Sequence, residues 1–414
     1  MFRPLKQSSF LKLYIAQVFS DLGNWLDFIA LNVIIAYRWE LGPEMLAAET
    51  VAFGLPWIVF GPVFAVYTDR FSKRIAMGLS HVLRILTAIG FIFVPNILLL
   101  LALILIKETI SALYDPLQQG AIQMLVPREL LPEASSLSQL SSNTAKIAAP
   151  ALGGLLIALN GPKTVFLIEA AGFLASAILV FRLYALDTVI QTKGVKRESL
   201  NGFRKEFLSG LAFIRANKTL KIAVYFMSAR IFLIFLYDSM LVIWVKGINL
   251  SESAFAWLIS AIGLGSVLGS LIFGHWKGWV RKPLVVMGLA SAFSGGMVLL
   301  IALIGYGFRV ADVYLLSLMF LVFGMVGAAV PTVYGYLVQS QTVPDLLGRV
   351  VSTANALQNC FMLSAPLIGA ILAKISGINA VFAISGVFTC LLGIVILIQG
   401  KRYSGAPLIS PDIS

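Results

Sequence analysis

Charge is scarce in this chain. Asp, Glu, Lys and Arg make up 12% of its 414 residues, about half the ~25% usual in soluble globular chains. Hydrophobic residues make up 59%. A soluble core cannot hide that much apolar surface, whereas a bilayer can. Histidine and cysteine are rarer still, with two of each. Neither His81 nor His275 has a second metal-ligating residue at a useful spacing, so no metal site is expected. Cys360 and Cys390 lie inside hydrophobic blocks and read as small packing residues, not as a disulfide. No Gly-x4-Gly-Lys-Ser/Thr phosphate loop occurs, so nucleotide hydrolysis and enzyme chemistry in general are not expected, and no cofactor is implied.

What is present is a series of hydrophobic blocks, each near the ~20 residues that span a bilayer. The first half reads as spans 11–37, 48–67, 74–94, 96–120, 137–160 and 164–184. A polar segment, 185–219, follows and reads as a linker loop. The second half reads as 220–245, 253–275, 283–306, 311–338, 347–374 and 378–400, with a tail over 401–414. The expected architecture is an all-α membrane protein of twelve transmembrane helices, arranged as an N-terminal bundle (1–184) and a C-terminal bundle (220–400). The first block is too long for a signal peptide and lacks a small-residue cleavage site, so it reads as a retained span.

The net charge of +12 would suggest nucleic acid in a soluble protein, but its placement argues otherwise. With both termini on the cytoplasmic side, twenty-two basic residues fall inside, four within spans, and five outside: Arg38, Lys163, Lys246, Arg309 and Lys374. That asymmetry predicts cytoplasmic N- and C-termini. An internal repeat supports six plus six. Aligning Pro150 with Pro366 places Asn143 on Asn359, Ser136 on Ser352, Ala149 on Ala365 and Gly153 on Gly369. A parallel repeat of this kind belongs to transporter halves that hold substrate near the bilayer midplane.

Several segments carry a family resemblance. Ala65-x3-Asp69-Arg70-Phe71-Ser72-Lys73-Arg74, between spans 2 and 3, resembles the loop signature Gly-x3-Asp-Arg-x-Gly-Arg-Lys of the major facilitator superfamily, with both glycines replaced. Pro150-Ala151-Leu152-Gly153-Gly154 in span 5 is similar to its Gly-Pro-x-x-Gly-Gly antiporter motif. Leu125 to Leu131, Phe166 to Ala171 and Leu347-Gly348-Arg349-Val350 resemble the branch of macrolide efflux proteins and the enterobactin exporter. Leu22-Gly23-Asn24-Trp25-Leu26 resembles that branch's Leu-Gly-Asp-Trp-Leu, with Asn for Asp, and Lys107 stands where the branch often carries an intramembrane Arg. The resemblance implies a secondary transporter of the drug:proton antiporter type, a monomer exporting an amphipathic drug or siderophore-like metabolite across a bacterial cytoplasmic membrane. An importer or a lysophospholipid-type transporter of the same fold is the alternative, and a non-transporting sensor or scaffold a remote one.

Ionisable residues well inside the spans carry the expected chemistry. They are Asp21, Asp27, Arg84, Lys107, Glu108, Asp115, Lys146, Glu169, Arg230 and Asp238. Exposed to lipid, ten such groups would cost about 25–35 kcal/mol, so they must face water, each other or the bundle interior. Asp27, Glu108, Asp21 and Asp238 are the candidates for proton coupling. Arg84, Lys146 and Glu169 are expected as structural ion pairs. At about 100° per residue, Lys107, Ser111, Tyr114 and Gln118 form one stripe on span 4, flanked by Asp115, and this stripe is expected to line water. Arg230 and Tyr237 are expected to do the same beside Asp238 on span 7, and Asn24 on span 1. By family analogy, Asp69 and its neighbours Arg70, Lys73 and Arg74 would meet the start of span 11 at Gly348–Arg349 as a cytoplasmic gate. Trp39, Trp244 and Trp279, near block ends, read as interfacial anchors.

Overall fold

A computed structural model of the protein describes residues 3–61, 64, 72–186, 200–307 and 312–403, and among these every regular element is helical. The first half runs α1 (Ser8–Val33), α2 (Pro43–Val59), α3 (Lys73–Phe93), α4 (Ile97–Leu125), α5 (Leu131–Asn160) and α6 (Pro162–Phe181). The second begins with α7 (Leu200–Ala216) and α8 (Lys218–Phe235), then the short α9 (Leu241–Gly247) and α10 (Glu252–His275). It ends with α11 (Pro283–Gly305), α12 (Val313–Gly327), α13 (Ala329–Ser340), α14 (Pro344–Ser376) and α15 (Ile378–Tyr403). Ten of these helical runs are long and apolar enough to cross a membrane. The other two spans are α2, which leads into residues outside the described set, and α5, whose apolar half is Ala151–Asn160. The fold is thus twelve transmembrane helices in two six-helix bundles.

Local chemistry explains where the helices start and stop. Asn96 and Asn217 cap α4 and α8, each side-chain oxygen accepting from a backbone N–H three residues on, at 3.0 Å. Proline opens α2, α6, α11 and α14, where its missing N–H costs nothing. Gly161 and Gly377 end α5 and α14 with φ of 79° and 84°, a conformation that side chains with a Cβ rarely adopt. These two glycines are equivalent in the sequence repeat. At the start of α5, Arg3 donates to Glu133 and so holds that carboxyl below its usual range.

The chain divides into two compact units, residues 1–196 with 251–260, and 197–250 with 261–414. In the first, α1 packs on both α5 and α6. Gly153 of α5 lies against the backbone of α1, where an added Cβ would sit 3.1 Å from the Leu26 carbonyl oxygen. In the second, Gly369 of α14 takes the same position against α8: a Cβ there would overlap the Leu236 carbonyl oxygen. Small residues that let backbones approach are the usual packing device between helices in lipid.

Four details differ from the sequence reading. The linker segment 185–219 is not all loop, since α7 occupies Leu200–Ala216, with Gly210 packed against the carbonyl of Arg349. Span 7 is interrupted between α8 and α9 by a tight turn over Asp238–Met240, so an uninterrupted helical stripe does not extend through Arg230, Tyr237 and Asp238. Span 10 is broken at Ala328, between α12 and α13. Trp244 and Trp279 are buried and so expose no surface that could anchor them in an interface: Trp244 stacks on Phe320 and lies tilted against Phe382, and Trp279 donates to the Phe273 carbonyl at 2.7 Å. Nearness to a block end does not reveal which side of a helix faces its bundle.

Candidate functional site

The first unit holds an ionic cluster built from four helices. Lys107, on α4, is fully buried, and its ammonium donates to Asp27 of α1. The same nitrogen lies 2.8 Å from Glu169 Oε1 on α6 and 3.9 Å from Glu108 Oε1, one residue along α4. Trp57 of α2 donates its indole N–H to Glu108 Oε2 at 2.9 Å. Phe53, one turn before Trp57, puts its ring centroid 5.9 Å from the Lys107 nitrogen. Asp27, Glu108 and Glu169 are all buried.

Glu49, also on α2, is a further buried acid, with Asn32 Nδ2 at 3.4 Å from its Oε1. The sequence reading passed over it, although an acid between Ala48 and Thr50 inside span 48–67 was the signal that marks it. Arg84 of α3 is the second buried cation. It donates to Ser20 Oγ at 2.9 Å and lies over the rings of Tyr114 (4.6 Å) and Phe173 (5.5 Å), so a hydroxyl and two aromatic faces hold it, with no ion pair to any described residue. His81 completes this aromatic group, its ring 4.7 Å from Tyr114.

Charge does not balance among the described residues of the first unit. Four fully or nearly buried carboxyls, Asp27, Glu49, Glu108 and Glu169, accompany two buried cations, Lys107 and Arg84. Unpaired charge in a low-dielectric interior is strongly unfavourable. Such a set can take up a proton or another cation, and it can exchange one for the other when its geometry changes.

The remaining expected residues divide clearly. Lys107, Ser111, Tyr114 and Gln118 do share one face of α4, and all four are buried in the interior of the unit. The helical spacing that groups them cannot say whether solvent or a neighbouring helix lies opposite. Asp115 is exposed and Asn24 half-buried. Asp21, half-buried, accepts from Ser141 (2.7 Å), Ser142 (3.1 Å) and Gln17 (3.2 Å). Glu169, expected in an ion pair, lies against Lys107; the Lys146 side chain is outside the described set. In the second unit Arg230 and Tyr237 are buried, with Tyr237 5.0 Å from the Phe382 ring, while Asp238 is exposed.

Asp69 and Arg70 lie outside the described residues. The aliphatic end of Lys73 crosses Gly120 of α4, and Arg74 lies over the Tyr184 ring at 4.5 Å and donates to the Phe181 carbonyl at 3.4 Å. Helix α14 starts at Pro344, ahead of Gly348, so Arg349 sits in its second turn. Beside Gly153, Gly154 of α5 lets that helix meet Ala256 and Ser260, and the Ser260 hydroxyl donates to the Ala151 carbonyl at 2.9 Å. The Pro150 side chain is outside the described set.

Comparison with known proteins places this arrangement. A family model described as transmembrane secretion effector matches residues 1–405. An MFS-type transporter of Bacillus subtilis, YfiS, is 27% identical over 410 residues, covering 97% of this chain and 96% of that one. Macrolide efflux protein A of Streptococcus pyogenes is 26% identical over 388 residues (87% and 89%). The enterobactin exporter EntS of Citrobacter koseri is 24% identical over 432 residues (99% and 95%). The crystal structure of an autoinhibited POT-family peptide transporter has the same fold, with a TM-score of 0.70 at 13% identity over 98% of this chain and 99% of that one.

Proposed function

This chain belongs to the transmembrane secretion effector family of major facilitator transporters, and on that premise we propose that it is a proton-coupled exporter of amphipathic small molecules working by alternating access. One observation carries the coupling: the buried carboxyls around Lys107 outnumber the buried cations. Asp27 and Glu108 are the proton carriers in this reading, with Lys107 as the fixed charge they share. A proton arriving at Asp27 neutralises it and loosens its hold on Lys107. The loss of that proton restores the ion pair. Each event changes what holds α1 to α4, which is the two-state element an alternating-access carrier requires. Asp21 and Asp238 are further coupling candidates.

The substrate path in this reading follows the polar residues that retain exposure, Asn24 and Asp115 in the first unit and Asp238 in the second. An exposed carboxylate in a membrane helix must meet water. In this reading Lys107, Ser111, Tyr114 and Gln118 stand behind the exposed residues of the first unit, and Arg230 and Tyr237 do so in the second. Asp69, Arg70 and Arg349 are the candidates for the cytoplasmic gate. The direction is export, supported by the efflux relatives, across a bacterial cytoplasmic membrane with both termini inside.

The test is transport in proteoliposomes with a radiolabelled macrolide as probe. Accumulation that follows an imposed pH gradient, and collapses with a protonophore, is the expected result. Equilibration that ignores the gradient would reduce the protein to a facilitator.

A further inference from the structure

Helix α7, in the second unit, has two unlike sides. Its inner side packs on α14. Ile214 shares an apolar cluster with Val350 and Ala354, and a Cβ on Gly210 would overlap the Arg349 carbonyl oxygen. Thr353 Oγ1 donates to the Phe207 carbonyl at 3.4 Å. At about 100° per residue, Arg204, Lys205, Leu208, Ala212 and Arg215 fall on the other side, within about 100° of arc. Leu208 is 50% exposed, and Ala212 and Arg215 are exposed as well. The one acid of the helix, Glu206, falls outside this arc.

Two neighbours of α7 set the level at which this outer face lies. The α14 residues that it meets open the apolar span Arg349–Ser376, so the contact is at the membrane edge. Helix α8 begins directly after Asn217, and its outward stripe runs through Lys218, Lys221 and Tyr225, all exposed. Cations followed one turn further along a span by tyrosine mark the passage from headgroups to acyl chains. Arg215, three residues before Lys218, therefore stands at headgroup level. Neither Arg215 nor Lys221 forms an ion pair with a described residue.

We propose that the outer face of α7 binds anionic phospholipid, its cations taking the phosphates and Leu208 the carbon beneath them. Charge complementarity selects this occupant. Three cations and no acid on one helical face favour a headgroup of net negative charge over a zwitterionic one. The apolar Leu208 among them suits a lipid, which offers hydrocarbon directly below its phosphate, as amphipathic helices in the interface use it. Because the inner side of the same helix grips α14, a lipid held on the outer side ties the start of α14 to the membrane surface.

The test uses the intact protein in nanodiscs, with the fluorophore NBD attached at Leu208→Cys in a background of Cys360→Ser and Cys390→Ser. Phosphatidylglycerol and phosphatidylcholine, each carrying the same nitroxide on its acyl chain, serve as quenchers at equal mole fraction. Phosphatidylglycerol is expected to quench about threefold more strongly. High salt should remove that preference without any substitution, since screening weakens charge attraction and leaves apolar contact alone. The neutral variant Arg204→Gln, Lys205→Gln and Arg215→Gln should bring phosphatidylglycerol down to the level of phosphatidylcholine. Arg204→Lys with Arg215→Lys should keep the preference. Quenching by phosphatidylcholine should not change among the variants, which reports that α7 has kept its place; the salt comparison carries the test should the neutral variant fold differently. Equal quenching by the two lipids in the unsubstituted helix face would overturn the proposal. Quenching by neither would turn this face to water and leave it to a soluble partner.

Discussion

Gly153 and Gly369 occupy equivalent places in the two units: each presses its helix onto a backbone carbonyl of the first long helix of its own half, Leu26 in one and Leu236 in the other. The sequence repeat aligns them, and it aligns Gly161 with Gly377, which end the same two helices with matching positive φ. The duplication is thus visible as packing and as backbone conformation, independently within each unit.

The two contacts differ in tightness, and this yields a prediction. A Cβ at position 369 overlaps the Leu236 oxygen, whereas one at 153 sits at 3.1 Å. Gly369→Ala should therefore destabilise by about 1–3 kcal/mol, as overpacking does, and Gly153→Ala by less. Thermal unfolding of the purified protein in detergent measures both. Equal midpoints for the two variants would contradict the geometry.

Removing Lys107 should cost more than removing any one of its acids. Lys107→Met leaves Asp27 and Glu169 buried without their cation, and breaking a buried pair on one side costs about 3–5 kcal/mol. The combined variant Lys107→Met with Asp27→Asn should regain part of that loss, because the stranded charge is gone as well. Unfolding midpoints of the two single variants and the double form a cycle. Strict additivity would mean that Lys107 and Asp27 are not coupled.

Topology follows from the distribution of Lys and Arg between the two faces. Reporter fusions at residues 200 and 405 should read cytoplasmic, and a fusion at 161 external. Position 161 is the turn between α5 and α6, and 200 begins the amphipathic α7. An external signal at 200 would invert the assignment of every loop.

The spans were legible because their signal is local. The block 283–306 and the helix Pro283–Gly305 agree almost to the residue. The block 347–374 also begins within three residues of the start of α14 at Pro344. What the sequence did not reveal depends on which helix faces which. Lys107 and Glu169 are far apart in the chain, and nothing in either helix's periodicity states that α4 and α6 meet at those two turns. For the same reason helical spacing groups the span-4 stripe without naming what packs against it, and nearness to a block end does not reveal that Trp244 stacks inside. The break in span 7 had no proline or glycine to announce it, because Leu236, Tyr237 and Asp238 are compatible with helix.

The central claim is that the carboxyl cluster around Lys107 carries the coupling proton, and Asp27→Asn tests it most directly. The substitution keeps the side-chain shape and a hydrogen-bond acceptor for Lys107 but removes the titratable group. The measurement is macrolide accumulation in proteoliposomes under an imposed pH gradient, alongside equilibrium binding of the same macrolide to the same preparation. The account predicts that gradient-driven accumulation is abolished while binding stays within about threefold of the unsubstituted protein. Uphill accumulation that persists in Asp27→Asn, and again in Asp21→Asn and Glu108→Gln, would contradict it.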